Sequence, residues 1–236
     1  TTIELDNADE VTIKNLTLTG AYDGLWVHNS STSFATENLT VSHNTRNGLV
    51  VESDSELSSV NSIIAHHNGG TGISISTPIA NLSNSQAFNN TTGISVSNGI
   101  WSSAPTIVGA VNGAGNPDLS VNSTGPANHR GNLVFNNATG ITVSGNVIAV
   151  GNNAYSNSGV GISVSSGAIA TQNVSHSNQI GIATSSASVL HNRIFNNAQA
   201  GIEVGYYSSV IRGNQIYSNL IGARDGASYG TIELSG

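Results

Sequence analysis

A glycine followed by an apolar residue returns along this chain at nearly constant spacing: Gly24-Leu25, Gly48-Leu49, Gly72-Ile73, Gly93-Ile94, Gly140-Ile141, Gly161-Ile162, Gly181-Ile182, Gly201-Ile202 and Gly222-Ala223. Successive glycine numbers rise in steps of 24, 24, 21, 47, 21, 20, 20 and 21. Each copy alternates apolar and polar, as in Leu49/Val51, Ile94/Val96 and Ile162/Val164. Period two means a strand with one buried face. The repeating unit is too long for a hairpin ladder and holds no amphipathic helix. Such a unit buries its apolar face only by stacking on its neighbours, which predicts a solenoid of parallel strands.

Ile3-Glu4-Leu5 fits as a further copy, with a step of 22 from Ile3 to Leu25. The step of 47 divides into 25 and 22 if Asp118-Leu119-Ser120-Val121 is a degenerate copy. The expectation is eleven strands in one column and about ten coils, each of roughly 20–25 residues. Together they form a single domain over positions 1–236. Gly93 permits the turn into its strand, Ile94 and Val96 fill a core layer, and Ser95 and Ser97 face solvent.

A second motif precedes most strands, as in GNLVFNNATG (131–140) and HNRIFNNAQAG (191–201). It predicts two asparagine columns: Asn132, Asn153, Asn173, Asn192 and Asn214, then Asn137, Asn157, Asn178, Asn197 and Asn219. Asparagine tolerates left-handed turns, and its amide can bond to the equivalent amide one coil away. Between the columns lies a ring position: His43, His67, Phe88, Phe135, Tyr155, His176, Phe195 and Tyr217. Stacked rings would steady the turn, so these histidines read as structural.

The pattern N-x-I-x-x-N-x-x-x-G-I-x-V resembles the repeats of right-handed parallel β-helix proteins, the broad group containing NosD-like and pectate-lyase-like proteins. The resemblance covers nearly the whole chain and implies an all-β, right-handed parallel β-helix. That fold hosts lyases, hydrolases, epimerases, tail spikes, adhesins and non-catalytic surface modules. Its enzymes act mostly on polysaccharides, along a groove on one sheet face.

Charge narrows the choice. Only 8% of residues are charged and the net charge is −7 with six basic residues, which argues against nucleic-acid binding. There is no cysteine for disulfides or thiolate metal sites. No apolar run is long enough to span a membrane. A polar, weakly charged chain of this kind is expected outside the cell or on its surface. It opens in a strand, TTIELDN, and closes in a similar one, GTIELSG. The expectation is a module of a longer protein, or a subunit that associates end to end.

Nine of the thirteen acids fall in residues 1–56, and between 57 and 202 the only carboxylate is Asp118. In register, Asp6, His28 and Glu52 form one outward column, with coils about 4.8 Å apart, beside a column of Glu4, Trp26 and Val50. A carboxylate–imidazole–carboxylate cluster beside an exposed indole could hold a cation such as Ca2+, stack a sugar on Trp26, or supply a catalytic base. An ordinary charge ladder at the end of a solenoid is the alternative. The D-P-H-E motif of mannuronan epimerases is missing, as is the Lys/Arg constellation of a pectate-lyase-like site. Glu203 and Arg224 read as a cross-strand surface ion pair.

Residues 98–131 break the rhythm and hold three of the four prolines, with Trp101, Asp118, His129 and Arg130 as candidate ligand-binding residues. They form either a functional loop or a degenerate coil with two enlarged turns. Two hydroxyl files, Ser74/Ser95/Thr142/Ser163 and Ser76/Ser97/Ser144/Ser165, interrupted by Ser120 and Asn122, resemble the flat faces of β-helical ice-binding proteins. The expected function is a non-catalytic secreted or cell-surface module that binds a polysaccharide, a cell-surface glycan or a partner surface. The alternatives are a lyase or C5-epimerase acting on a uronic-acid polymer, and an ice-binding β-helix.

Overall fold

Alternating apolar residues at coil spacing leave each strand one partner on either side, and the chain closes this arrangement as a right-handed parallel β-helix. The computed structural model describes residues 1–77, 81–98, 106–109, 131–226 and 232–235. The first sheet has ten strands: Ile3–Asp6, Asp23–His28, Asn47–Val51, Thr71–Ile75, Thr92–Asn98, Thr139–Gly145, Val160–Ser165, Ile180–Ser185, Ala200–Val204 and Ile221–Asp225. Leu25, Leu49, Ile73, Ile94, Ile141, Ile162, Ile182 and Ile202 stack in register and are fully buried. Burying each such side chain contributes about 1.5–3 kcal/mol. Among the described residues no helix is long and apolar enough to cross a membrane.

Among the described residues the column has ten strands, not eleven. Ile94 pairs directly with Ile141, so these two strands are neighbours in the column, and the expected copy at 118–121 lies outside the described residues. Thr106–Gly109 belongs instead to the second sheet, where it pairs Asn81–Ser83 and Val147–Val150. Gly93 and Gly140 therefore lead adjacent strands of the first sheet. The serine files gain continuity from this: Ser95 sits against Thr142 and Ser97 against Ser144, with no interruption.

The second sheet starts as long strands, Thr12–Thr19, Phe34–Ser42 and Leu57–His66, and later divides into pairs such as Val147–Val150 and Asn153–Tyr155. A left-handed corner residue runs through both forms: Asn15, Asn38, Ser62 and Asn84, then Gly151, Gln172, His191 and Gly213. The next position is buried Leu39 and Ile63 in early coils and Asn132, Asn152, Asn173 and Asn192 in later ones.

Both asparagine ladders form. Asn137 donates its amide to Asn157 (3.1 Å) and Asn157 to Asn178 (3.0 Å), and this file begins earlier than the repeat suggested, at Asn44, Asn68 and Asn90. The other ladder runs through Asn152, which accepts from Asn132 at 3.0 Å. Asn153, assigned to it from the sequence, instead pairs with Leu133 in a strand. The ring file shifts by one residue in the same way. His66 stacks on Phe88 (4.9 Å), and the file continues through Phe135, Tyr155, His176, Phe195 and Tyr217. His43 and His67 occupy the following, left-handed position.

The strand-leading glycines have another cause than the turn assigned to Gly93. None of them has a positive φ; a Cβ on Gly140 would clash with the Gly161 carbonyl oxygen and lie 2.9 Å from the Asn157 amide nitrogen. Coils approach too closely there for any side chain.

Candidate functional site

Strand Asp23–His28 places Trp26 and His28 two residues apart on its outward face, so their rings meet. The rings stack with centroids 3.8 Å apart and planes 16° from parallel. The register sets Glu4 opposite Trp26 and Asp6 opposite His28. The hydrogen bonds nevertheless run diagonally. His28 Nε2 lies 2.9 Å from Glu4 Oε1, Trp26 Nε1 donates to Glu52 Oε1 at 2.9 Å, and Asn29 Nδ2 donates to Asp6 Oδ1 at 2.8 Å.

The register brings Glu4, Asp6, Trp26 and His28 to one surface, with Glu52 in reach of Trp26, but with partners other than those the sequence suggested. His28 is joined to Glu4, and Asp6 and Glu52 are engaged by Asn29 and Trp26. Trp26 is half-buried, with one face against the imidazole, and His28 is only 7% exposed. Burial works against the charged imidazole, but hydrogen bonds to Glu4 and Asn29 and the nearby Asp6 charge outweigh it, raising the His28 pKa above its ordinary value. The arrangement is a charge-assisted pair beneath an aromatic plate, rimmed by exposed carboxylates. The residue missed from sequence as the imidazole's partner is Glu4. Its signal was present, since diagonal neighbours on adjacent strands lie within reach of long side chains.

The same face continues away from this cluster as serine and threonine hydroxyls, through Ser74, Ser95, Thr142 and Ser163. At its far end Arg224 Nε donates to Glu203 Oε2 at 2.6 Å, the expected cross-strand pair. An ion pair between a buried carboxylate and a partly exposed guanidinium near the first coils escaped the sequence reading. Asp23, fully buried, accepts from Arg46 Nε at 3.0 Å and from the Asn47 N–H at 3.1 Å, while Arg46 lies over the Tyr22 ring. Trp101, Asp118, His129 and Arg130 lie outside the described residues.

Among the described residues, one group brings three candidate metal-ligating atoms within 4.8 Å of one another: His43, His66 and His67. His43 and His67 stack one coil apart, 5.0 Å between parallel rings, and His66 stands edge-on to both. Burial, then the neighbouring His67 and His43, lower the His66 pKa. The Asp6, His28 and Glu52 column does not converge in this way.

Comparison with known proteins bears on the fold. Residues 1–147 match the family described as right handed beta helix region. Among solved structures the chain is similar to the A-module of mannuronan C-5 epimerase AlgE4 from Azotobacter vinelandii, with TM-score 0.65 and 16% identity, over 95% of this chain and 64% of that one. It is likewise similar to the AlgE6 A-module from the same organism, with TM-score 0.65 and 16% identity, over 96% of this chain and 68% of that one. At that identity the likeness is one of fold, and this chain spans about two thirds of each module's length. No curated protein matches the chain in sequence.

Proposed function

We propose that this chain, which belongs to the right-handed β-helix family, is a glycan-binding module working outside the cell. It takes a polysaccharide on the outer face of its ten-stranded sheet. The observation that carries this reading is the Trp26–His28 stack, braced by Glu52 and Glu4, at the head of the hydroxyl-lined face. A sugar ring meets the exposed part of the indole through its C–H face, and its hydroxyls meet the carboxylates and serines around it. Glu4, Asp6 and Glu52 repel an anionic polymer, so the preferred ligand is neutral, and a polyuronate binds only when Ca2+ bridges the carboxylates.

A second reading, a C5-epimerase or lyase acting on a uronic-acid polymer, is favoured by the His28–Glu4 pair. An imidazole held by a carboxylate is suited to proton transfer, and the two structural neighbours are mannuronan C-5 epimerases.

A glycan array followed by calorimetry on neutral and uronate polymers, with and without Ca2+, tests the reading. Trp26→Ala is expected to weaken neutral-glycan binding at least about tenfold while the circular dichroism stays unchanged. Equal binding by Trp26→Ala would refute the site. Ultraviolet-absorbing or C5-inverted product from a uronate polymer, lost in His28→Ala, would replace binding with catalysis.

A further inference from the structure

His43 and His67 stand out within their own column. Both adopt φ 54°, and the following coils fill the same left-handed position with Asn89, Asn136, Ser156, Ser177, Asn196 and Ser218. The stacked ring file does not need them, because it begins with His66. The parallel register sets His66 one residue before His67 and one coil beyond Ser42, so three of the chain's seven histidines meet at one corner. His66 Nδ1 and His67 Nδ1 are 2.9 Å apart, all three ligand atoms lie within 4.8 Å, and His43 and His67 are exposed.

We propose that His43, His66 and His67 form a binding site for a divalent transition-metal ion of the zinc class. Three imidazoles select borderline ions such as Zn2+, Ni2+ and Cu2+, and they disfavour Ca2+, which takes oxygen ligands. Tetrahedral zinc with Zn–N bonds of about 2.0–2.1 Å sets its ligand nitrogens about 3.3 Å apart. The cluster brackets that spacing, and small rotations of the two exposed rings close it. Three protein ligands leave a fourth position for water or an external donor. Asn89 completes the design: its amide nitrogen is 3.2 Å from His67 Nε2. When His67 ligates through Nδ1, the proton moves to Nε2, and the flipped Asn89 amide receives it with its oxygen. The ion ties two successive coils together at the corner.

The test is titration of the chelator-stripped full chain with Zn2+ by calorimetry, and with Co2+ by its visible absorption. One ion per chain is expected. His43→Asn and His67→Asn place at these corners the residue found at Asn89 and Asn136, and His66→Phe keeps the stack on Phe88. Each is expected to weaken binding at least about tenfold, and Asn89→Ala by about tenfold. His176→Phe, in the ring file but away from the corner, leaves binding unchanged. Thermal unfolding without metal checks that every variant folds, and a Zn2+-dependent rise in Tm is confined to proteins that retain the site. The proposal is overturned if wild type binds no ion saturably, or if the His43→Asn/His67→Asn double variant binds as tightly as wild type.

Discussion

Replacing Asn178 with alanine removes one rung of an asparagine ladder from the middle of the solenoid. Asn178 is 2% exposed, and its Oδ1 accepts both the Asn157 N–H and the Asn157 amide, each at 3.0 Å. Its Nδ2 donates to the Ala154 carbonyl at 3.1 Å, to Ser175 Oγ at 3.1 Å and to Asn197 Oδ1 at 3.2 Å. The largest single cost is the Asn157 N–H, buried where water cannot replace its partner, at about 1–3 kcal/mol. The side-chain bonds lost with it contribute roughly 0.5–1.5 kcal/mol each. Because several of them share two amides, their losses overlap, and the expected total is about 2–5 kcal/mol. Urea unfolding followed by circular dichroism measures it. The midpoint should fall, and hydrogen exchange should quicken first at Asn157 and the coils on either side, since each coil contacts only its neighbours. Ser177→Ala, one residue earlier at an exposed corner, is the control. A loss below about 1 kcal/mol for Asn178→Ala, or a loss equal to that of the control, would refute the claim that the ladder holds the coils together.

Three further outcomes follow from particular contacts. The His28 pKa is raised in the folded state, so the stabilisation from its pair with Glu4 is complete below about pH 6.5 and is lost as pH rises through the folded value; Glu4→Gln should remove this dependence from hydrogen exchange in strand Ile3–Asp6. His176 lies between Tyr155 and Phe195, and burial, then the Arg193 charge, lower its pKa. Its contribution is present above about pH 6.5 and falls away on acidification, so His176→Phe should flatten the drop in urea midpoint between about pH 7.5 and pH 5. Gly140→Ala drives a methyl against the Gly161 carbonyl and the Asn157 amide and should cost about 1–3 kcal/mol or more in thermal unfolding.

The architecture was readable because it depends on local facts. Alternation in Leu49/Val51 or Ile94/Val96 sets which face of a strand is buried, and the regular return of the Gly-apolar step sets the coil. The grouping of Glu4, Asp6, Trp26, His28 and Glu52 on one surface followed from the same counting. Counting failed at two places where neighbours carried the same letter. In His66-His67 and Asn152-Asn153 either residue satisfies the repeat, and only the register against Phe88 and Asn132 selects one. It failed again across the long interval between Gly93 and Gly140, where the expected division into two steps gives way to the direct pairing of Ile94 with Ile141.

The sequence by itself determined the parallel β-helix, its buried aliphatic file and its two asparagine columns, because strand period and coil length are properties of a single repeat. Tertiary structure alone decided which carboxylate holds His28, why Gly140 has no side chain, and that His43, His66 and His67 meet at one corner. Those outcomes rest on ångström-scale approaches between residues a coil apart. The repeat names such neighbours, and only the packed register sets the distance between them.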